Sequence, residues 1–235
     1  MVEALRGKIE HYLFCSSIWV YGHATTVPSV ETDPTNAIDD YGVNKTKIER
    51  WLLQQARRDG FPATSSVQVI SSARAGCPST RKLMRTPAFS QIARGDELAL
   101  PNLGLEMVHH VHADDVAQWI IRAIEQRTAS IGEIFNTVSA HALTLRGYAE
   151  AMYRWFEQEP RLSFAPFDQW KLGLTERDAH SSWGHIMRSS CVSIEKSRQR
   201  LGYQPRFSSL ESIQQSVKAL IASGRLKVPK VALKA

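Results

Sequence analysis

Three side chains near the start of the chain could carry out acid–base chemistry together: the hydroxyl of Ser17, the phenol of Tyr41 and the ammonium of Lys45. Tyr41 and Lys45 are four positions apart, so a helix would set them one turn apart on a single face. An ammonium beside a phenol favours the phenolate, which suits the pair to moving a proton to or from a carbinol or carbonyl. A serine hydroxyl in the same place could hold the substrate oxygen. Ser17 closes the apolar run Tyr12-Leu13-Phe14-Cys15, which reads as a buried strand.

The elements that must position these groups are legible around them. Residues 11–17 predict a strand that feeds Ser17, and residues 23–40, with Pro28, Asp33 and Pro34, predict a loop. Residues 41–58 predict a helix with Val43, Ile48, Trp51, Leu52 and Ala56 turned inward, ended by Gly60 and Pro62. Farther along, residues 87–95 suggest a short helix, and Leu98–Pro101 and Met107–Val111 suggest short strands. A helix over 113–126 carries Asp114 and Asp115 in its first turn, where the helix dipole favours acids. A strand over 133–138, a helix over 144–157 with Leu145, Tyr148, Met152 and Phe156 inward, and a final helix over 208–223 follow. Strands alternating with helices imply an α/β fold around a parallel sheet.

Bulk properties narrow the function classes. The chain has 235 residues, 43% hydrophobic and 22% charged, which fits an ordered globular protein. No apolar run approaches a membrane span, and Glu3, Lys8, Glu10 and His11 break up any leader-like core. Cys15, Cys77 and Cys191 are too far apart for a disulfide frame or a zinc site, so a reducing cytoplasm is the expected location. The net charge of +6 invites a nucleic-acid reading. However, Arg74, Arg81, Lys82 and Arg85 supply much of it from one stretch, with no interleaved aromatics, and no nucleic-acid partner is expected. His109, His110 and His112 could offer two rings to one face of a strand, but no third ligand accompanies them and no metal is expected.

The ordered set Ser16-Ser17, Val20-Tyr21-Gly22, Glu31, Pro34, Tyr41-x-x-x-Lys45 and Glu49 resembles the active-site stretch of the extended short-chain dehydrogenase/reductase family, the NAD-dependent epimerase/dehydratase group. Val108-His109-His110-Val111-His112-Ala113-Asp114-Asp115-Val116-Ala117 and Leu201-Gly202-Tyr203-Gln204-Pro205 are similar to later motifs of the same family. The resemblance implies a Rossmann-like parallel sheet and a helix-rich C-terminal substrate region, with the division near 139/140. It implies Tyr41 as general acid/base, Lys45 as its partner and as the anchor of the nicotinamide ribose of NAD or NADP, and Ser17 as the group orienting a small-molecule substrate. It also implies a homodimer paired through the helix over 41–58. Trp155, Trp170, Trp183 and His185 could line a substrate pocket or fill a core, core filling being the preferred reading.

Two departures stand out. The family's glycine-rich turn, which cradles a pyrophosphate at a helix N-terminus, has no counterpart: the two closest glycines, Gly95 and Gly104, are nine positions apart. By resemblance the chain starts late, without most of the first βαβαβ half of the fold. Residues 64–86 also lack the family's next strand and its Arg-Pro-Gly and Gly-Pro-Gly loop, and we expect two compensating frameshifts there. A shifted reading of suitable codons permits a string opening on Arg-Pro-Gly, and family-like sequence resumes at Pro87. The expectation is therefore an NAD(P)-dependent epimerase/dehydratase or reductase, impaired as it stands. The alternative is a catalytically inactive fragment or pseudoenzyme with at most a protein-interaction role.

Overall fold

The structure, a computed structural model, describes residues 1–69, 71–72 and 86–228. After a short helix α1 (Val2–Leu5), the strand expected before Ser17 forms as β1 (Tyr12–Cys15). It pairs in parallel with β2 (Ala63–Gln68), which pairs in parallel with β7 (Ile134–Thr137), so the sheet order is β1-β2-β7. Between β1 and β2 runs α2 (Asp40–Asp59), started by Asp39, whose carboxylate accepts from the Gly42 N–H, and stopped by Gly60 at φ +65°. This strand–helix–strand unit with parallel pairing bears out the α/β expectation.

β2 corrects one expectation. Residues 64–68 are not a departure from the family's strand; they are the middle strand of the sheet. The run Thr64-Ser65-Ser66 is polar for a middle strand. Each hydroxyl is paired inside: Thr64 with the Ser130 carbonyl, Ser65 with Glu49 and Ser66 with Thr137, all at 2.8 Å. Buried hydroxyls so satisfied cost little, and Val67 and Ala63 supply the apolar contacts. A two-residue strand, β3 (Ser71–Ser72), follows. Position 70 and positions 73–85 of the stretch expected to be frameshifted lie outside the described residues.

The inward face of α2 also differs from the expectation. Gly42, Thr46, Glu49 and Leu52 are buried, whereas Ile48 and Trp51 are exposed. The cause is the sheet beneath: a hydroxyl-rich β2 favours a small and hydrogen-bonding helix face over a greasy one. Leu52 packs with Val2, Phe61 and Ala63, and its burial contributes about 2 kcal/mol.

The remaining elements form two packed regions. α3 (Thr86–Arg94), β4 (Leu98–Pro101), α6 (Leu145–Trp155), β9 (Leu162–Ala165) and α10 (Ser209–Ala222) enclose a core of Phe89, Ile92, Tyr148, Met152, Phe156, Ile213 and Val217. The four positions expected inward on α6 and just after it, Leu145, Tyr148, Met152 and Phe156, are all buried. β4 and β9 pair in parallel, and α10 starts with a capping box between Ser208 and Glu211. A second core joins the sheet to α4 (Ala113–Glu125) and α9 (Glu195–Leu201) through Trp119, Phe135, Leu201 and Tyr203. Both cores draw residues from either side of position 140. β5 (Met107–Val108) pairs antiparallel with β8 (Leu143–Thr144), and β6 (Val111–His112) pairs in parallel with β3. The short helices α5 (Arg127–Ser130) and α7 (Phe167–Trp170) and the longer α8 (Glu176–Ile186) complete the chain's described part. Among the described residues, no helix is long and apolar enough to cross a membrane.

Candidate active site

β1 ends at Cys15, and the chain turns into a single 3-10 turn, Ile18–Tyr21. Ser17 caps that turn: its Oγ accepts from the Trp19 N–H at 3.3 Å, which leaves the hydroxyl proton free to be donated. Ser17 itself is buried. The turn closes at Gly22, where φ is +68° and a Cβ would lie 1.9 Å from the Asn36 carbonyl oxygen. Only glycine allows the loop over 23–40 to cross at this distance.

That loop delivers Asp39 and the first turn of α2 against the 3-10 turn. At Gly42 a Cβ would lie 2.7 Å from the Trp19 carbonyl oxygen, so the helix can seat here only on a glycine. Tyr41 is thereby placed over Trp19, the two rings edge to face at 5.8 Å, with half of the tyrosine exposed. One turn on, Lys45 Nζ donates to the Cys15 carbonyl at 2.7 Å and lies 5.7 Å from the Tyr41 ring centre and 4.8 Å from that of Phe14. The structure thus brings Tyr41 and Lys45 together beside the end of β1, two residues before Ser17. Glu49, one further turn along α2, is buried and accepts from Ser65 Oγ. Burial pushes its carboxyl above the ordinary range, opposed by that hydrogen bond and by Lys45.

Other residues singled out in the sequence have structural partners. Tyr21 donates to Asn136 Oδ1 at 2.9 Å, and burial raises its phenol far above the usual value. Glu31 accepts from the Asn136 N–H at 2.7 Å. His109 bridges Ser139 and Val192 by its two ring nitrogens, and burial lowers its pKa to about 4. His110 is buried against Tyr148 and lowered to about 3 for the same reason. His112 caps α4 by accepting from the Asp114 N–H. Asp115 does more than sit in that helix's first turn. Fully buried, it accepts from the backbone N–H groups of Arg206 and Phe207 and so fixes the approach to α10. Among the described residues, no group of three or more His, Cys, Asp or Glu side chains could hold a metal ion.

Two residues of the site were not singled out from the sequence. Asp39 could have been found as the acceptor one position before a helix. Arg188 carried no such signal, since its role depends on contacts 149 positions away. Its side chain is 1% exposed, and its guanidinium pairs with Asp39 at 2.7 Å and lies over the Trp19 ring, 3.9 Å from its centre. On α8, the His185 ring meets Trp19 edge to face at 5.2 Å. Trp183 packs on Phe167 at 4.8 Å and lines a cavity of about 890 Å³, with Leu172, Leu174 and His180 also in its wall. Core filling therefore does not describe Trp183, which is 44% exposed.

With this geometry in view, comparison with known proteins is informative. The family model described as NAD dependent epimerase/dehydratase family matches residues 1–137. A chloroplast stem-loop binding protein of 41 kDa, form b, from Arabidopsis thaliana is 26% identical over 221 residues, covering 92% of this chain and 53% of the relative. A UDP-glucose 4-epimerase from Streptomyces lividans is 24% identical over 168 residues, covering 66% of this chain and 50% of the relative. The chain thus spans about half the length of these curated relatives. Among solved structures, UDP-glucuronic acid 4-epimerase from Bacillus cereus in complex with NAD is similar with a TM-score of 0.71 at 15% identity, over 94% of this chain and 65% of the other. RMD from Pseudomonas aeruginosa complexed with NADPH gives a TM-score of 0.69 at 17% identity, over 93% and 69%. Those likenesses establish the Rossmann-like fold, and the family match carries the assignment: the chain belongs to the NAD-dependent epimerase/dehydratase family.

Proposed function

We propose that the chain carries the acid–base part of an NAD(P)-dependent epimerase/dehydratase site that acts on the carbinol or carbonyl of a small molecule. The observation that carries this reading is the Lys45 ammonium, clamped on the end of β1 beside the Tyr41 ring, with Ser17 following that strand. Tyr41 Oη would take or give the substrate proton, Ser17 Oγ would hold the substrate oxygen, and Lys45 would stabilise the phenolate. The dinucleotide, when bound, supplies hydride exchange.

The residues present fit one part of that cofactor and not another. The Lys45 ammonium uses one donor on Cys15 and retains two for ribose hydroxyls. No pair of glycines in the sequence is spaced to cradle a pyrophosphate. We therefore read the chain as it stands as impaired in dinucleotide binding. Calorimetric titration of NADH and NADPH tests this: no saturable heat is expected at micromolar concentrations, and micromolar affinity would overturn the impairment.

A homodimer paired through α2 belongs to the same reading, supported by the exposure of Ile48 and Trp51 on that helix. Trp51→Glu should then leave a monomer in sedimentation analysis, where the wild type gives a dimer. A second reading, nucleic-acid binding, is raised by the name of the Arabidopsis relative. Charge speaks against it. The excess of six positive charges corresponds to Arg74, Arg81, Lys82, Arg85, Lys230 and Lys234, which cluster in two stretches with no interleaved aromatics. Steeply salt-dependent retention on an RNA stem-loop would favour this second reading.

A further inference from the structure

We propose that Arg188 is a positioning residue, which uses Asp39 and Trp19 to set the orientation of the Tyr41 ring. The inference rests on reading Tyr41 as the acid–base group, but its geometry stands independently. Arg188 follows α8 closely, and one of its nitrogens donates to the Gly184 carbonyl of that helix. A second nitrogen donates to Asp39 Oδ2 at 2.7 Å, while Asp39 Oδ1 accepts from the Gly42 N–H, also at 2.7 Å. One carboxylate thus ties the end of α8 to the first turn of α2, the turn that carries Tyr41. The guanidinium plane also lies 3.9 Å from the Trp19 ring centre. That indole meets Arg188 and His185 from the α8 region and also meets the Tyr41 ring.

A buried arginine is costly unless its charge is paired and its face covered. Here both conditions are met by residues that touch Tyr41 or cap its helix. The arrangement gives the C-terminal part of the chain a mechanical hold on the tyrosine. A shift of α8 would move Arg188, release the Trp19 stack and change where the phenol points.

The test is aromatic NMR on protein labelled at tyrosine and tryptophan rings, with Tyr41 assigned from Tyr41→Phe. Arg188→Lys keeps a charge but loses the flat stack. Asp39→Asn keeps the helix cap but loses the ion pair and leaves the buried guanidinium charge unpaired, so Arg188→Lys, which keeps a cation opposite Asp39, is the variant expected to stay folded if Asp39→Asn does not. Both should shift the Tyr41 and Trp19 ring signals while distant tyrosines such as Tyr203 stay in place. Adding Arg188→Lys to Trp19→Phe should move Tyr41 less than Arg188→Lys moves it in the wild type, since only the Asp39 route is then left to break. A purely structural arginine would lower the melting temperature and leave the Tyr41 signals of the folded variants superimposed on wild type. That result overturns the proposal, and it does so whether or not Tyr41 proves to be the acid–base group, which the ligand experiments decide separately.

Discussion

The ammonium of Lys45 donates to the backbone carbonyl of Cys15 at 2.7 Å, across thirty residues of chain. This bond joins the helix that carries Tyr41 to the strand that leads into Ser17. It is one of the contacts, with the seat of Gly42 on Trp19, that set the relative position of the two. Lys45→Met should retain the fold, since the stem still covers Phe14, and should cost about 1–2 kcal/mol for the lost charged hydrogen bond, read by urea denaturation.

The seat of α2 on the 3-10 turn gives a second expectation. Gly42→Ala places a methyl 2.7 Å from the Trp19 carbonyl oxygen, and backbone cannot yield as a side chain can. We expect a loss of about 1–3 kcal/mol, or a melting temperature lower by several degrees. Gly60→Ala, where a Cβ meets nothing within 4 Å, is the control for crowding, its own cost coming from positive φ.

Acid should destabilise the fold through two buried histidines. His109 and His110 are held neutral, at about 4 and about 3, whereas the unfolded chain titrates them near 6.5. Below the unfolded value the unfolded state binds more protons, so stability falls as pH drops from about 6.5 toward 4. Each group contributes a slope on the order of 1.4 kcal/mol per pH unit in that window. Chemical denaturation at several pH values should show the slope, and His110→Phe should reduce it by one group's share. An unchanged slope in that variant would assign the effect elsewhere.

Asp115 supplies a fourth. It is fully buried and accepts two backbone N–H groups, those of Arg206 and Phe207. Asp115→Ala would leave both donors without their acceptor and should cost about 3 kcal/mol. Asp115→Asn, which keeps one acceptor oxygen, should cost less.

Much of this molecule was legible in its sequence where periodicity and local chemistry agree. The strand before Ser17, the helix carrying Tyr41 and Lys45 and the inward face of α6 all formed as expected. β2 was missed because burial is ordinarily read from apolar side chains. Thr64, Ser65 and Ser66 are buried by hydrogen bonds to residues up to 71 positions away, which no local pattern reports. The same reason hid the polar inward face of α2, where Glu49 meets Ser65. Arg188 was invisible for a related cause: an arginine in sequence looks solvated, and only the fold brings Asp39 and Trp19 to it.

The most direct test of the proposed site is saturation-transfer NMR with reduced nicotinamide mononucleotide, the half of the cofactor that needs no pyrophosphate cradle. Wild-type chain at millimolar ligand should give transfer to the nicotinamide and ribose protons, and Lys45→Met and Tyr41→Phe should each lose most of it while remaining folded. Equal transfer in all three proteins, or none in the wild type, would contradict the placement of a nicotinamide-dependent acid–base site at Ser17, Tyr41 and Lys45.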